Sequence, residues 1–308
     1  MEYDSTMSLS RYRAAWAAAL AGLYLPGAPR VWDPKPSRWP MVVGALRQAC
    51  ACDPAACVAA LKRAGLPSEA CELDRPDLWE WVAARLGSGG VLTAVCPAYP
   101  FRWIETLGSA APPVVWVEGD PGALGRAAVS VVGVRDAEPA VLARAARLGE
   151  MLALSGRALC SGGAPGVDLA AERAALGSGG PVVEVLPCGL EWAAGRFGLA
   201  WPSASALRVS PWHPRQPFGG DLAMRRNALV YALGERSVVV RARFREGGTW
   251  NGAVAALRRK SSRILVFDEG DPASRALIAL GALGCRSEEE ALGPLPEPLG
   301  LPLFSAIG

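Results

Sequence analysis

From Val91 onward the chain alternates two rhythms, and this alternation restricts the fold more than any other feature. Short β-branched runs ("VLTAV", "PVVWVEG", "AVSVVGV", "RALCSGG", "PVVEVLPCG", "RSVVVRA", "RILVFDE") recur along it. Between several of them lie alanine-rich stretches with apolar residues at helical period: "PAVLARAARLGEMLALSG", "VDLAAERAALGSGG", "GDLAMRRNALVYALG" and "GTWNGAVAALRRK". Strands apolar on both faces need cover on both faces. The pattern therefore predicts an α/β fold, Rossmann-like, with a mostly parallel sheet between two helical layers. Residues 1–88 read instead as a small helical N-terminal domain, closed by the Gly87-Ser88-Gly89-Gly90 run. The expected division is thus 1–88 helical, 89–284 Rossmann-like, and 285–308 a proline-rich tail with little pattern.

Composition excludes several function classes. The chain has 308 residues, 51% of them hydrophobic, so it can bury a large core. No apolar run approaches the roughly 18 to 20 residues of a membrane span. The start has acids ahead of its apolar stretch and no clear cleavage site, which argues against a signal peptide and for a cytoplasmic protein. The formal net charge of +3 is too small to indicate a nucleic-acid partner without local clustering. Cys50, Cys52, Cys57 and Cys71 lack paired CxxC spacing, and the one histidine, His213, is distant in sequence. No metal site and no cofactor is expected. His213 lies in a proline-rich loop and no GxSxG elbow accompanies it, so triad hydrolysis is not expected either.

Three glycine-rich corners follow strands, where open α/β sheets bind ligands. In the first, "VSVVGVRDAEPAVL", Gly133 permits a tight exit and Arg135 stands beside a helix start. That pair suits an anion, or Arg135 is simply an exposed turn residue. In the second, "CSGGAPGVDLAAERAAL", Gly162, Gly163 and Gly166 free backbone amides for an anion-binding concavity at a helix start. Asp168 there either caps the helix or accepts from a ribose hydroxyl or base amine. In the third, Arg225, Arg226 and Asn227 lie in one helix, and Gly247, Gly248 and Thr249 open the next. Between Arg241 and Arg263 stand Arg241, Arg243, Arg245, Arg258, Arg259, Lys260 and Arg263 against one acid, Glu246. This local excess suits a phosphate backbone, and a solvated helix face explains part of it equally well.

These corners, with "VVEVLPCGLEW" and the preceding "VLTAVCPAYPFRWIETLGSAAPPVVWVEGDPGAL", resemble the DNA-processing protein A (DprA/Smf) family in order and spacing over about residues 91–284. The resemblance implies a modified Rossmann core that binds single-stranded DNA, dimerises, and delivers DNA to the RecA recombinase during transformation. The family's GSR phrase falls on Gly133, Val134 and Arg135, and its SGxAxGxD phrase on Ser161, Gly162, Ala164, Gly166 and Asp168. Its (R/K)RN phrase falls on Arg225, Arg226 and Asn227, and its SGS/T turn on Gly247, Gly248 and Thr249. Departures are Val134 for the usual serine, Glu172 for the usual histidine, and Glu246 for serine. No C-terminal winged helix is expected after Ala282.

The leading expectation is a non-enzymatic single-stranded DNA-binding protein. In it Arg135 and the second-corner amides hold one phosphate, while Arg225, Arg226, Arg241, Arg243 and Arg245 track its neighbours. Trp192, Phe197, Trp212 and Phe218 are candidates for stacking. A nucleotide-binding sensor is the alternative, since Glu172 and Glu246 are easier to place beside a ribose than beside a polyanion. A phosphoribohydrolase of the lonely-guy type ranks third, because "EGGTWNGAV" lacks the second glycine spacing and the trailing acid of PGGxGTxxE.

Overall fold

The computed structural model describes residues 90–93, 98–112, 114–196, 205–212 and 214–295. The helical domain expected over 1–88, with the Cys50–Cys71 group, lies outside them, as do Phe197, His213 and the tail beyond 295. The described elements run β1 (Val91–Thr93), α1 (Phe101–Leu107), β2 (Val114–Gly119), β3 (Ala128–Gly133), α2 (Pro139–Leu154) and β4 (Ala158–Ser161). Then come α3 (Val167–Gly177), β5 (Val182–Val185), α4 (Leu190–Ala193), β6 (Ala206–Ser210), α5 (Gly220–Leu233) and β7 (Arg236–Arg241). The order closes with α6 (Gly247–Arg259), β8 (Arg263–Phe267), α7 (Pro272–Ala279), β9 (Leu283–Cys285) and α8 (Glu288–Leu292).

The strands form one sheet of nine in the order β1-β2-β6-β5-β4-β3-β7-β8-β9. From β6 to β9 every pairing is parallel; β2 runs antiparallel to both β6 and β1. The two-residue period of the strands sorts their side chains between two cores. Val132, Val239, Ile264 and Val266 pack with α5, α6 and α7 on one face. Val131, Val238, Val240 and Leu265 pack with α2, α3 and α8 on the other. This is the three-layer Rossmann-like arrangement that the alternating sequence predicts.

Two strands were not predicted. β6, "ALRVS", carries an arginine in its middle, which reads as a solvated position. Yet Arg208 is 3% exposed and faces Glu184 on β5 directly across the ladder, its Nε donating to Glu184 Oε2 at 2.6 Å. β9 is three residues long and continues the sheet past the boundary expected at residue 284. The tail expected from 285 thus begins inside a strand. α8 follows it, started by Ser287, whose hydroxyl accepts from Glu290 N, and Ala291 and Leu292 are buried against the α2 face.

Strand order reverses beside β3. The strands after it (β4, β5, β6) lie to one side, and β7, β8 and β9 to the other. The crevice outside the carboxyl ends of β3 and β7 is the switch point at which open α/β sheets take ligands. A register shift between Val132 and Gly133 bends β3 at that end.

Candidate functional site

A cavity of about 510 Å3 opens at this switch point. Its floor is the end of β3 and the loop after it (Val132–Asp136), and its walls are one face of α5 from Gly220 to Tyr231 and the start of α6. Both helices begin with glycine, at Gly220 and Gly247, and neither start is capped by a side chain. Each helix of thirteen or fourteen residues leaves its first amides without intrahelical partners and carries partial positive charge there. Asn227, midway along α5, ties that helix to the α6 start, its Nδ2 donating to Gly248 O at 3.2 Å. Thr249 Oγ1 donates to Gly133 O at 2.8 Å, tying α6 to the end of β3. Arg135 and Arg243 are exposed at the mouth. Arg243 contacts Asp136 at 3.5 Å and Glu246 at 3.4 Å, both mostly exposed pairs of little stabilising weight.

The second corner does not present the anion-binding concavity expected of it. Ser161 is fully buried and its hydroxyl donates to Val131 O at 2.6 Å. Gly163 N donates to Glu172 Oε1 at 3.0 Å, and Gly133 N to Asp168 Oδ1 at 3.3 Å. The protein's own carboxylates therefore occupy amides that were candidates for a phosphate. Gly166 has φ +89°, and a Cβ there would lie 2.3 Å from Arg135 O, because the β3–α2 loop folds over the start of α3. Val167 N bonds to Val134 O across the same contact. Asp168 is thus no helix cap: it joins the first turn of α3 to the end of β3.

Nor is Arg226 a surface phosphate contact. It is 3% exposed and its Nη1 donates to Val185 O at 2.9 Å. Around it stand Asp168, Glu172 and Glu184, with Arg208 completing a buried charge cluster. Burial raises the Asp168 carboxyl above its ordinary value, with Arg226 opposing. Glu172, fully buried, is raised further by the same desolvation and by the neighbouring Glu184 and Asp168 carboxylates. Glu172 Oε2 and Glu184 Oε1 are the two carboxyl oxygens in the cluster left without a partner.

Arg241 also departs from expectation. It pairs with Glu269, which Arg144 pairs with as well, and it does not line the cavity. Arg225 is exposed, with its guanidinium 5.1 Å from the Trp212 ring centroid. Phe218 lines the cavity and is 40% exposed, while Trp192 lies in an adjoining cleft of about 230 Å3 that shares Arg135, Phe218 and Arg226 with it. Met224, Tyr231 and Asp136 line the cavity without having been singled out in the sequence. Asp136 was the most legible of the three, as the residue after Arg135 in a strand-exit loop. Glu184 stood out as one charge inside an apolar strand, but nothing in the sequence pointed to Arg208 as its partner.

A parallel sheet whose order reverses beside a ligand-sized cavity, walled by α5 and the start of α6, defines a Rossmann-type α/β protein. Within that class the chain belongs to the DNA recombination-mediator protein A family, whose sequence model it matches over residues 90–287. No curated protein sequence matches it. Among solved structures it is similar in fold to DNA processing protein A from Streptococcus pneumoniae, with TM-score 0.62 and 17% identity over 91% of this chain and 96% of that one. DNA processing protein A from Helicobacter pylori, described for its single-stranded DNA binding mode, aligns at TM-score 0.49 and 22% identity over 58% of this chain and 85% of that one. The molybdenum cofactor binding protein of Rippkaea orientalis aligns at 0.43 and 20% over 54% and 93%. Among the described residues, no helix is long and apolar enough to cross a membrane.

Proposed function

We propose that this chain binds single-stranded DNA across the switch-point cavity and acts without catalysing a reaction. The observation that carries the reading is the convergence of two uncapped helix starts, α5 and α6, on a cavity with Arg135 and Arg243 at its mouth. Backbone amides and guanidinium groups at one rim hold phosphate oxygens and read no sequence. Arg225 and Arg245, both exposed, extend the cationic surface beyond the cavity. Family membership supports the same partner, and homodimerisation and delivery of the strand to RecA belong to this reading. A phosphoribohydrolase is disfavoured because Glu172, the acid it would need, is fully buried and does not line the cavity.

Oligo-dT binding measured at several salt concentrations tests the proposal. With Arg135, Arg225, Arg243 and Arg245 engaged, the log–log slope is expected to be about −3, from roughly 0.7 per neutralised phosphate. A slope near zero overturns it.

One observation favours the alternative, a compact nucleotide ligand. The cavity lining balances Arg135, Arg226 and Arg243 against Asp136, Asp168 and Glu246, a balance better suited to one or two phosphates with a ribose than to a polyanion. Thermal stabilisation by a nucleotide but not by oligo-dT would select it.

A further inference from the structure

The β7–α6 loop carries a feature that the cavity itself does not use. Phe244 is 45% exposed and stands between Arg243 and Arg245. The turn that displays it is held shut: Glu246 N bonds to Arg243 O at 3.2 Å, the two residues form an isolated antiparallel bridge, and Arg243 Nη1 reaches Glu246 Oε1. Arg245 has φ +58°, a left-handed conformation that side chains rarely adopt. Beneath the turn, Phe244 meets Trp250 edge-on, with ring centroids 5.3 Å apart, and Trp250 is buried in the first turn of α6. The Arg245 guanidinium lies 5.0 Å from the Phe244 centroid. The result is a half-exposed aromatic ring packed T-shaped on Trp250, with the Arg245 guanidinium over it, on the loop that leads into the cavity wall at Glu246–Thr249.

We propose that Phe244 is a stacking platform for a nucleobase of a single strand whose phosphates lie at the cavity mouth. The inference rests on the single-stranded DNA reading above and deepens it. A protein-docking surface would need contiguous apolar area, yet the neighbours of Phe244 along the loop are buried Ala242, two arginines and a glutamate. An exposed ring with one guanidinium over it and a second arginine beside it in the loop matches a strand instead, since each nucleotide offers one apolar face and one anion. Every base has such a face, so the platform adds affinity without selecting sequence.

The test compares labelled oligo-dT with an abasic oligomer of equal phosphate number, using wild type, F244L and F244Y. F244L keeps packing against Trp250 while removing the aromatic face; F244Y keeps both. The platform requires wild type and F244Y to prefer oligo-dT. It also requires F244L to lose about 5- to 100-fold on oligo-dT while binding the abasic oligomer unchanged. If wild type binds DNA but F244L matches it on oligo-dT, or weakens equally on both oligomers, the platform is refuted and the DNA reading stands. If wild type binds neither oligomer at low salt, the DNA reading itself fails and the platform with it.

Discussion

A Cβ placed on Gly162 would lie 1.5 Å from Nη1 of Arg226. The glycine of this corner is therefore required by the protein's own guanidinium, which packs through the space a side chain would fill on its way to Val185 O. Gly162→Ala is expected to displace Arg226 from its bond and from the buried carboxylates, costing more than about 2 kcal/mol of unfolding free energy by urea titration. Arg226→Ala should be at least as damaging, because it leaves Asp168 and Glu184 buried without their shared cation. A loss of ligand binding in either variant would report folding rather than contact.

The exposed arginines are the cleaner probes of binding. Arg135→Ala and Arg243→Ala should each reduce the magnitude of the oligo-dT salt slope by about 0.7 and leave the urea midpoint within error of wild type. Arg241→Ala should leave the slope alone, since that guanidinium is held by Glu269 away from the cavity. A slope reduced as much by Arg241→Ala as by Arg135→Ala would place the strand elsewhere on the protein.

Across the β5–β6 ladder, Arg208 and Glu184 are 3% and 0% exposed. Removing one partner strands a charge in the core, so Arg208→Met should destabilise by about 3–5 kcal/mol. Replacing both, as Arg208→Met with Glu184→Leu, should recover much of that loss, and the double variant measured against the two singles gives the coupling directly. Additive single effects would mean that the pair does not act as a unit.

These particulars show what the sequence could carry and what it could not. Fully apolar strands and alanine-rich helices announce themselves by period, so the layers and the strand-exit corners were legible. β6 was not, because a buried arginine reads as polar until its partner is known, and the partner sits on another strand at a register no single segment specifies. The corner glycines were legible as places of close approach but silent about what approaches. At Gly133 it is the Val167 side chain and at Gly162 it is Arg226, whereas Gly247 at the α6 start borders open space. Asp168 was ambiguous for the same reason, since its acceptor role is fixed by a backbone amide thirty-five residues away.

Glu172 supplies a pH dependence whose sign follows from its surroundings. Burial and the adjacent Glu184 and Asp168 carboxylates raise its folded pKa well above the ordinary value of 4.5. Between that value and the raised one, the folded state binds a proton that the unfolded state has released. Stability from this group is therefore fully present below about pH 4.5 and is lost as pH rises through the folded pKa. Glu172→Gln keeps an acceptor for Gly163 N and substitutes a permanent donor for the titrating proton, so it removes this term. Its unfolding free energy should match wild type near the ordinary pKa of 4.5 and exceed it increasingly as pH rises from there to the raised folded pKa, with a constant difference above it. Asp168, raised by burial as well, leaves a smaller slope of the same sign in the variant. Urea titrations of both proteins across that range decide the matter: a difference that stays constant with pH would mean Glu172 does not change its protonation on folding.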